Sequence, residues 1–259
     1  MEDKRILYVS SEVVPYLPEN EVSLMSYEVP KMISDQGGQI RIFMPRYGSI
    51  NERRHQLHEV IRLSGMNLVI NDMDMPLIIK VASIPKERIQ VYFIDNDEYF
   101  KRKTTFNNED GSLFSDNDER AIFFAKGVVE TVKKLNWVPD VIHVHGWMAS
   151  FLPIYMKHYY KDDALFADTK IVTSIYSKSF DGVINPTALE KVAFDNVPTE
   201  AISKLAEADF DNIMKTAVDH SDGVIVGSEN VSEDLIKYIE NSQKPFLPFV
   251  DKDKFAEAY

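Results

Sequence analysis

Two histidines, a few acids and aromatics, and one arginine are the residues whose types and spacing suggest chemistry. His143 and His145 stand two apart in Val141-Ile-His-Val-His145, which places both on one face of a strand, as a metal site built from one strand would need. No cysteine occurs in the chain, and no second histidine cluster accompanies the pair. No metal site is therefore expected, and His145, at the end of its strand, is the one positioned to touch a ligand. Glu12, Tyr16, Arg46, Tyr47, Trp147 and Tyr176 supply carboxylate, guanidinium and aromatic surface, a combination that holds sugar rings by hydrogen bonding and stacking. The plainer reading of Tyr16 and Trp147 is packing against neighbouring helices.

These residues need a scaffold that gathers them, and the stretch from Arg5 to Val22 supplies its first unit. Ile6 to Val9 is a short apolar run of the kind that forms a strand covered on both faces. A loop follows, and then Val22, Met25, Val29 and Met32/Ile33 recur at helical spacing until Gly37-Gly38 stops the helix. Gln39 to Pro45 is the next strand, with Arg46-Tyr47-Gly48 turning at its end. Met66–Ile70, Leu77–Ser83 and Gln90–Asp95 read as strands and hairpins, with Pro76 and Pro85 between them. Lys101 to Ser115 is polar and contains Asn107-Asn-Glu-Asp-Gly111, the best candidate for a mobile loop. Asp116 or Asn117 then caps a helix whose buried stripe is Ala121, Phe124, Val128, Val132 and Leu135. The charge cluster at 116–120 reads as a solvated helix start.

Further along, a strand at Val141–Val144 leads into a helix from about Ala149 to Tyr160, and Thr169 to Tyr176 is the next strand. Residues 185–201 are irregular. One helix is expected over Ile202–Val218, with Leu205, Phe210, Ile213, Met214 and Ala217 facing inward. Asp222 to Ser228 reads as the last strand, and Val231 to Ile239 as the last helix, with Ser228 or Asn230 at its start. The fold class is α/β: a Rossmann-like, doubly wound and mostly parallel sheet. A small β-rich insertion occupies about 60–90, and an exit segment 244–259 closes the single domain 1–259.

Composition narrows the function classes. The chain has 259 residues, 44% of them hydrophobic, and 29 basic against 41 acidic side chains give a net charge of −12. That balance disfavours nucleic acid and anionic lipid as partners. Without cysteine, disulfides, thiolate nucleophiles and cysteine-based zinc sites are excluded. No apolar run approaches the ~18 residues of a membrane span, so no membrane insertion is expected. The opening Met1-Glu-Asp-Lys-Arg5 has no apolar leader, so a cytoplasmic location is expected. Phosphate-loop, dinucleotide, nucleophile-elbow and zincin motifs are all missing.

Several segments together resemble one family. Ser11-Glu-Val-Val-Pro-Tyr16, Val29-Pro30-Lys31 and Arg41-Ile-Phe-Met-Pro-Arg-Tyr-Gly48 are similar to the amino-terminal region of bacterial glycogen and starch synthases. So are Asp95-Asn-Asp-Glu-Tyr-Phe100, Ser115-Asp-Asn-Asp-Glu-Arg-Ala-Ile-Phe-Phe-Ala125 and Trp137-Val-Pro-Asp-Val-Ile-His-Val-His-Gly-Trp147. The resemblance covers roughly 4–250 and implies the amino-terminal half of a B-type glycosyltransferase. In that family a complete enzyme transfers glucose from ADP-glucose or UDP-glucose to an α-1,4-glucan, with retention and without a metal.

The resemblance also marks where this chain departs from the family. The family loop Lys-x-Gly-Gly-Leu falls on Pro18, Asn20, Glu21 and Val22, which removes a cation and two glycines. The family's His-x-His-Asp-Trp has Gly146 in place of the aspartate, and Tyr176 stands where the family has a histidine beside the donor sugar. A loop opening a helix binds a diphosphate through free N–H groups and the helix dipole. Glu19 and Glu21 instead bring negative charge there, each repelling a unit anion by about 4 kcal/mol at ~4 Å and an effective dielectric near 20.

The expected function is accordingly a catalytically inactive binding or assembly subunit, with no cofactor, that takes a protein partner or a glucan or small sugar. The alternative is a glucosyltransferase active only with a complementary subunit. Pro245-Phe-Leu-Pro-Phe-Val250 would otherwise lead to a second domain, which makes Phe246, Leu247 and Phe249 the expected partner-binding surface.

Overall fold

The computed structural model describes residues 3–251 and 254–255. Its strands are β1 (Arg5–Ser10), β2 (Gln39–Pro45), β3 (His58–Glu59), β4 (Met66–Ile70), β5 (Met73–Ser83), β6 (Gln90–Asp95), β7 (Val141–His145), β8 (Lys170–Ile175), β9 (Gly223–Val226) and β10 (Phe246–Leu247). They form a sheet in the order β10-β9-β8-β7-β1-β2-β6-β5-β3, with β4 pairing β5. From β10 to β6 every pairing is parallel, and the β-rich insertion adds antiparallel pairings beyond β6. This is the α/β class expected. Ile6, Leu7, Tyr8 and Val9 of β1 are all buried, as a strand with helices on both faces requires. The chain steps from β1 to β2 on one side and returns to β7 on the other. That makes the β1/β7 boundary the topological switch point, the place where such sheets leave a crevice outside their carboxyl ends.

The helices are α1 (Glu21–Asp35), α2 (Glu52–His55), α3 (Asp97–Phe100), α4 (Asn117–Leu135), α5 (Leu152–Lys157), α6 (Ala188–Phe194), α7 (Phe210–Asp219) and α8 (Glu233–Asn241). Helix α1 begins on an Asn20 capping box and ends where Gly37 takes a φ of 89°. Its buried face is Ser23, Ser26, Val29, Pro30 and Ile33, while Val22, Met25 and Met32 are only half-buried. The serines let the helix approach β1 closely, and Ser26 Oγ lies 2.6 Å from Ser10 Oγ. Among the described residues no helix is long and apolar enough to cross a membrane.

The structure corrects several local expectations. Pro76 does not separate two strands. It lies inside β5, which turns there from β4 to β6. The helix expected from 149 to 160 is a 3-10 turn over Trp147–Ala149 followed by the short α5, with Pro153 in its first turn. A single helix over 202–218 is replaced by a kinked 3-10 segment, Thr199–Glu207, and then α7, because Asp209 accepts the Asn212 N–H and starts a new helix. Ser232, rather than Ser228 or Asn230, caps α8. β9 is not the last strand, since Phe246 and Leu247 pair with Val224 and Ile225 as an edge. Of the exit segment 244–259, residues 252, 253 and 256–259 lie outside the described residues, as do residues 1 and 2 of the domain.

The start of α4 departs most from expectation. Asn117, Asp118 and Arg120 are fully buried, so the 116–120 cluster is an interior polar network and not a solvated helix end. Asp116 makes no capping bond and instead takes Arg102, whose Nη1 lies 2.7 Å from Oδ1. Arg120 donates to Asn117 Oδ1 at 2.6 Å and to the carbonyls of Tyr99 and Thr105 at 2.8 and 2.7 Å. Within the polar stretch 101–115, the best candidate for a mobile loop, the Thr105 carbonyl is thereby bonded to α4.

Candidate functional site

At the switch point, the loops after β1 and β7 meet around a cavity of about 20 Å³, walled among others by Ser11, Glu12, Phe106, Gly146, Trp147 and Tyr176. That is room for about one water molecule, against about 300–1,000 Å³ for a typical small-molecule site. A larger concavity of about 270 Å³, walled among others by Glu21, Ser228 and Phe249, lies at the amino terminus of α1, and a chain of aromatic rings runs beside the small cavity. Tyr47 meets Phe106 edge-on with ring centroids 5.7 Å apart, Phe106 meets Trp147 at 5.0 Å, Trp147 meets Phe180 at 5.1 Å, and Phe180 meets Phe210 at 5.7 Å.

The amino terminus of α1 faces this cavity with its own acceptors in place. Asn20 Oδ1 accepts the Ser23 N–H, and Ser23 Oγ accepts the Asn20 N–H, both at 2.9 Å. The exposed Pro18 contributes its carbonyl, which accepts from Ser23 Oγ at 2.9 Å. Asn20 Nδ2 donates to Glu12 Oε2 at 3.0 Å; burial pushes the Glu12 carboxyl up from its ordinary pKa, and this bond pulls it partly back. Glu21 spans the crevice. Its carboxylate accepts Ser228 Oγ at 2.9 Å from the loop after β9 and Ser177 Oγ at 2.6 Å from the loop after β8. A carboxylate at the positive end of a helix dipole is electrostatically favoured, and here it joins loops after three different strands.

Gly146 and Tyr176 are equally built into their surroundings. Gly146 has φ 80° and ψ 160°, a region open essentially to glycine. A Cβ there would lie 2.7 Å from Ser11 Oγ, the atom that accepts the Met148 N–H at 3.0 Å. The Tyr176 hydroxyl lies 2.6 Å from His145 Nδ1. Its ring fills the space over Gly227, where a Cβ would come within 2.7 Å of it. His145 is buried, with no hydrogen-bond partner for Nε2 among the described residues, and burial lowers its pKa to about 3. It is therefore neutral across the physiological range.

Of the other residues picked out from the sequence, Trp147 walls the small cavity and Tyr47 joins it through Phe106, while Arg46 and Tyr16 are not among its walls. Arg46 is buried and ion-paired with Asp95 at 3.0 Å and Glu52 at 3.2 Å, and Lys80 shares both carboxylates. Tyr16 packs edge-on against Phe93 and His55, and burial raises the pKa of its hydroxyl. Tyr47 and Trp147 are buried, and neither Tyr47 Oη nor Trp147 Nε1 has a hydrogen-bond partner among the described residues. Both rings pack inward and offer no open stacking face for a sugar. His143 bonds Ser174 Oγ at 2.8 Å, and no group of metal-ligating residues occurs among the described residues. Phe246 is 39% exposed on the edge strand β10, and Phe249 is 37% exposed and lines the concavity beside Glu21 and Ser228, while Leu247 packs partly on the core. Sequence reasoning missed Phe106, Ser177 and Ser228. Only Phe106 left a signal, as a lone aromatic in a polar stretch.

Comparison with known proteins agrees with this architecture. The profile of the family described as starch synthase catalytic domain matches residues 5–243. The glycogen synthase of Chlorobium limicola is 34% identical over 234 residues, covering 90% of this chain and 47% of that protein. That of Chlorobaculum tepidum is 34% identical over 235 residues, with the same shares. The chain thus spans about half the length of the curated relatives it matches. Among solved structures, the catalytic domain of starch synthase IV from Arabidopsis thaliana, bound to ADP and acarbose, superposes with a TM-score of 0.75. It does so at 14% identity, over 98% of this chain and 53% of that one, a likeness of fold.

Proposed function

The chain belongs to the starch synthase catalytic domain family, and from that premise we propose that it is a donor-silent member, acting as a binding or assembly subunit and not as a glucosyltransferase on its own. The observation that carries this reading is the Glu21 carboxylate. It holds the amino terminus of α1 and is bonded by Ser177 and Ser228, where a sugar-nucleotide diphosphate would need donors and a cation. The aromatic chain beside the small cavity and the fit of Gly146 and Tyr176 to their neighbours support it. Because the aromatics are turned inward, a protein partner is favoured over a sugar, and the exposed Phe246 and Phe249 are the proposed contact.

A second reading keeps transfer of glucose from ADP-glucose or UDP-glucose to an α-1,4-glucan, in company with a complementary subunit. Its support is the 34% identity to proteins named glycogen synthase. Titration calorimetry with each sugar nucleotide separates the two. The donor-silent reading expects no saturable binding up to about 1 mM, a free energy weaker than about −4 kcal/mol. Micromolar affinity for either nucleotide would sink it and favour the second reading.

A further inference from the structure

A second concavity, of about 560 Å³, shares no lining residue with the crevice; its wall includes Tyr16, Arg54, His55, Lys86, Arg88 and Gln90. Its size is that of a small-molecule site. The whole chain has 41 acidic against 29 basic residues, yet among the described residues this wall carries cations and no carboxylate. The nearby acids are engaged elsewhere: Glu87 lies 3.4 Å from Lys31 Nζ and accepts the Tyr27 hydroxyl at 3.0 Å, and Glu52 pairs with Lys80 and Arg46. Arg54, Lys86 and Arg88 form no ion pair among the described residues.

The backbone adds an independent observation. Gln56, Lys86 and Arg88, all on this wall, have φ of 55°, 74° and 57°, the left-handed region that favours glycine. Long cationic side chains therefore stand at two positions where glycine would relax the turn between β5 and β6. Strain of this kind, held by the surrounding structure, accompanies binding surfaces.

We propose that this concavity binds the phosphate monoester of a small metabolite. The guanidinium groups of Arg54 and Arg88 and the Lys86 ammonium receive the dianion. The Gln56 and Gln90 amides and the Tyr16–His55 wall, whose rings meet at 5.1 Å, receive the body of the molecule. The inference does not depend on whether the crevice binds a sugar nucleotide.

Lys86→Gly and Arg88→Gly separate binding from folding, because each removes a cation while relieving a left-handed residue. Calorimetry on the full chain with glycerol 2-phosphate, and with glycerol as the uncharged control, provides the test. The expected result is saturable binding of glycerol 2-phosphate only, weakened about tenfold or more in each variant, with both variants melting no lower than the parent. No binding in the parent, equal binding of glycerol, or unchanged affinity in both variants would overturn the proposal.

Discussion

Gly146 shows how far a single position can be committed to its surroundings. Placing an aspartate there adds a Cβ 2.7 Å from Ser11 Oγ and 3.1 Å from Val22 Cγ1, at a φ of 80°. Backbone strain of this type costs about 1–3 kcal/mol, and the contact with Ser11 disturbs the Met148 N–H that this hydroxyl receives. Gly146→Asp is therefore expected to lower stability by at least that range. It should not create sugar-nucleotide binding, because Glu21 still occupies the helix end and Tyr176 still covers Gly227. Denaturant unfolding with a parallel nucleotide titration checks both parts. An aspartate variant of unchanged stability would show that the backbone at 146 relaxes freely, which the geometry does not permit.

At the scale of elements, the loop 101–115 and helix α4 act as one unit through Arg120. Its guanidinium, whose pKa is lowered by burial to about 10, donates to the Tyr99 and Thr105 carbonyls and to Asn117. Asn117 Nδ2 in turn holds the Phe106 carbonyl at 2.9 Å. Arg120→Met leaves these acceptors buried without donors, and breaking such a network costs about 3–5 kcal/mol. Hydrogen exchange should rise first in 101–115 and leave the amides of β1 protected. Uniform loss of protection across both would break the assigned link. The same elements show what the sequence discloses. Strands β1, β2 and β7 are legible because short β-branched runs bounded by loops have few other readings. The break between the Thr199–Glu207 segment and α7 is hard to read, because Ile202 and Ile213, eleven residues or about three turns apart, fall on one helical face across it. Burial of Asp118 and Arg120 is hidden for a different reason. Charged residues in a first turn satisfy every local rule for a solvated start, and only partners such as Thr105 and Lys191 reveal otherwise. At the crevice, Pro18, Asn20, Glu21, Gly146 and Tyr176 stand out in the sequence by residue type alone. The bonding partners of Glu21, Ser177 and Ser228, do not, since nothing in a lone serine marks a partner more than 150 residues away.

For the molecule as a whole, the buried histidines couple folding to pH. Burial lowers the pKa of His143 well below its ordinary value and that of His145 to about 3, and burial lowers His55, His158 and His220 in the same direction. Below about pH 6.5 the unfolded chain takes up protons that the folded chain refuses, so it binds more protons than the native state, and stability falls as pH falls. Glu12 and Asp118, whose carboxyls are raised mainly by burial, act oppositely: the folded chain holds those protons more tightly, so their stabilisation appears on acidification. Asp140 and Asp163, lowered chiefly by backbone hydrogen bonds, reinforce the acid loss at lower pH. The histidines therefore dominate just below about pH 6.5, where each fully titrating one contributes about 1.4 kcal/mol per pH unit. Unfolding free energies measured at close pH intervals between about 6.5 and 5.5 should fall with acidification. His145→Gln keeps a polar partner for Tyr176 and removes one titrating group, so its slope should be shallower by up to one proton, whatever its absolute stability. If the variant and the parent took up the same number of protons on unfolding in that window, His145 would have to be charged in the folded protein. A charged imidazole would then sit inside the sheet beside His143, at a ring separation of 4.1 Å.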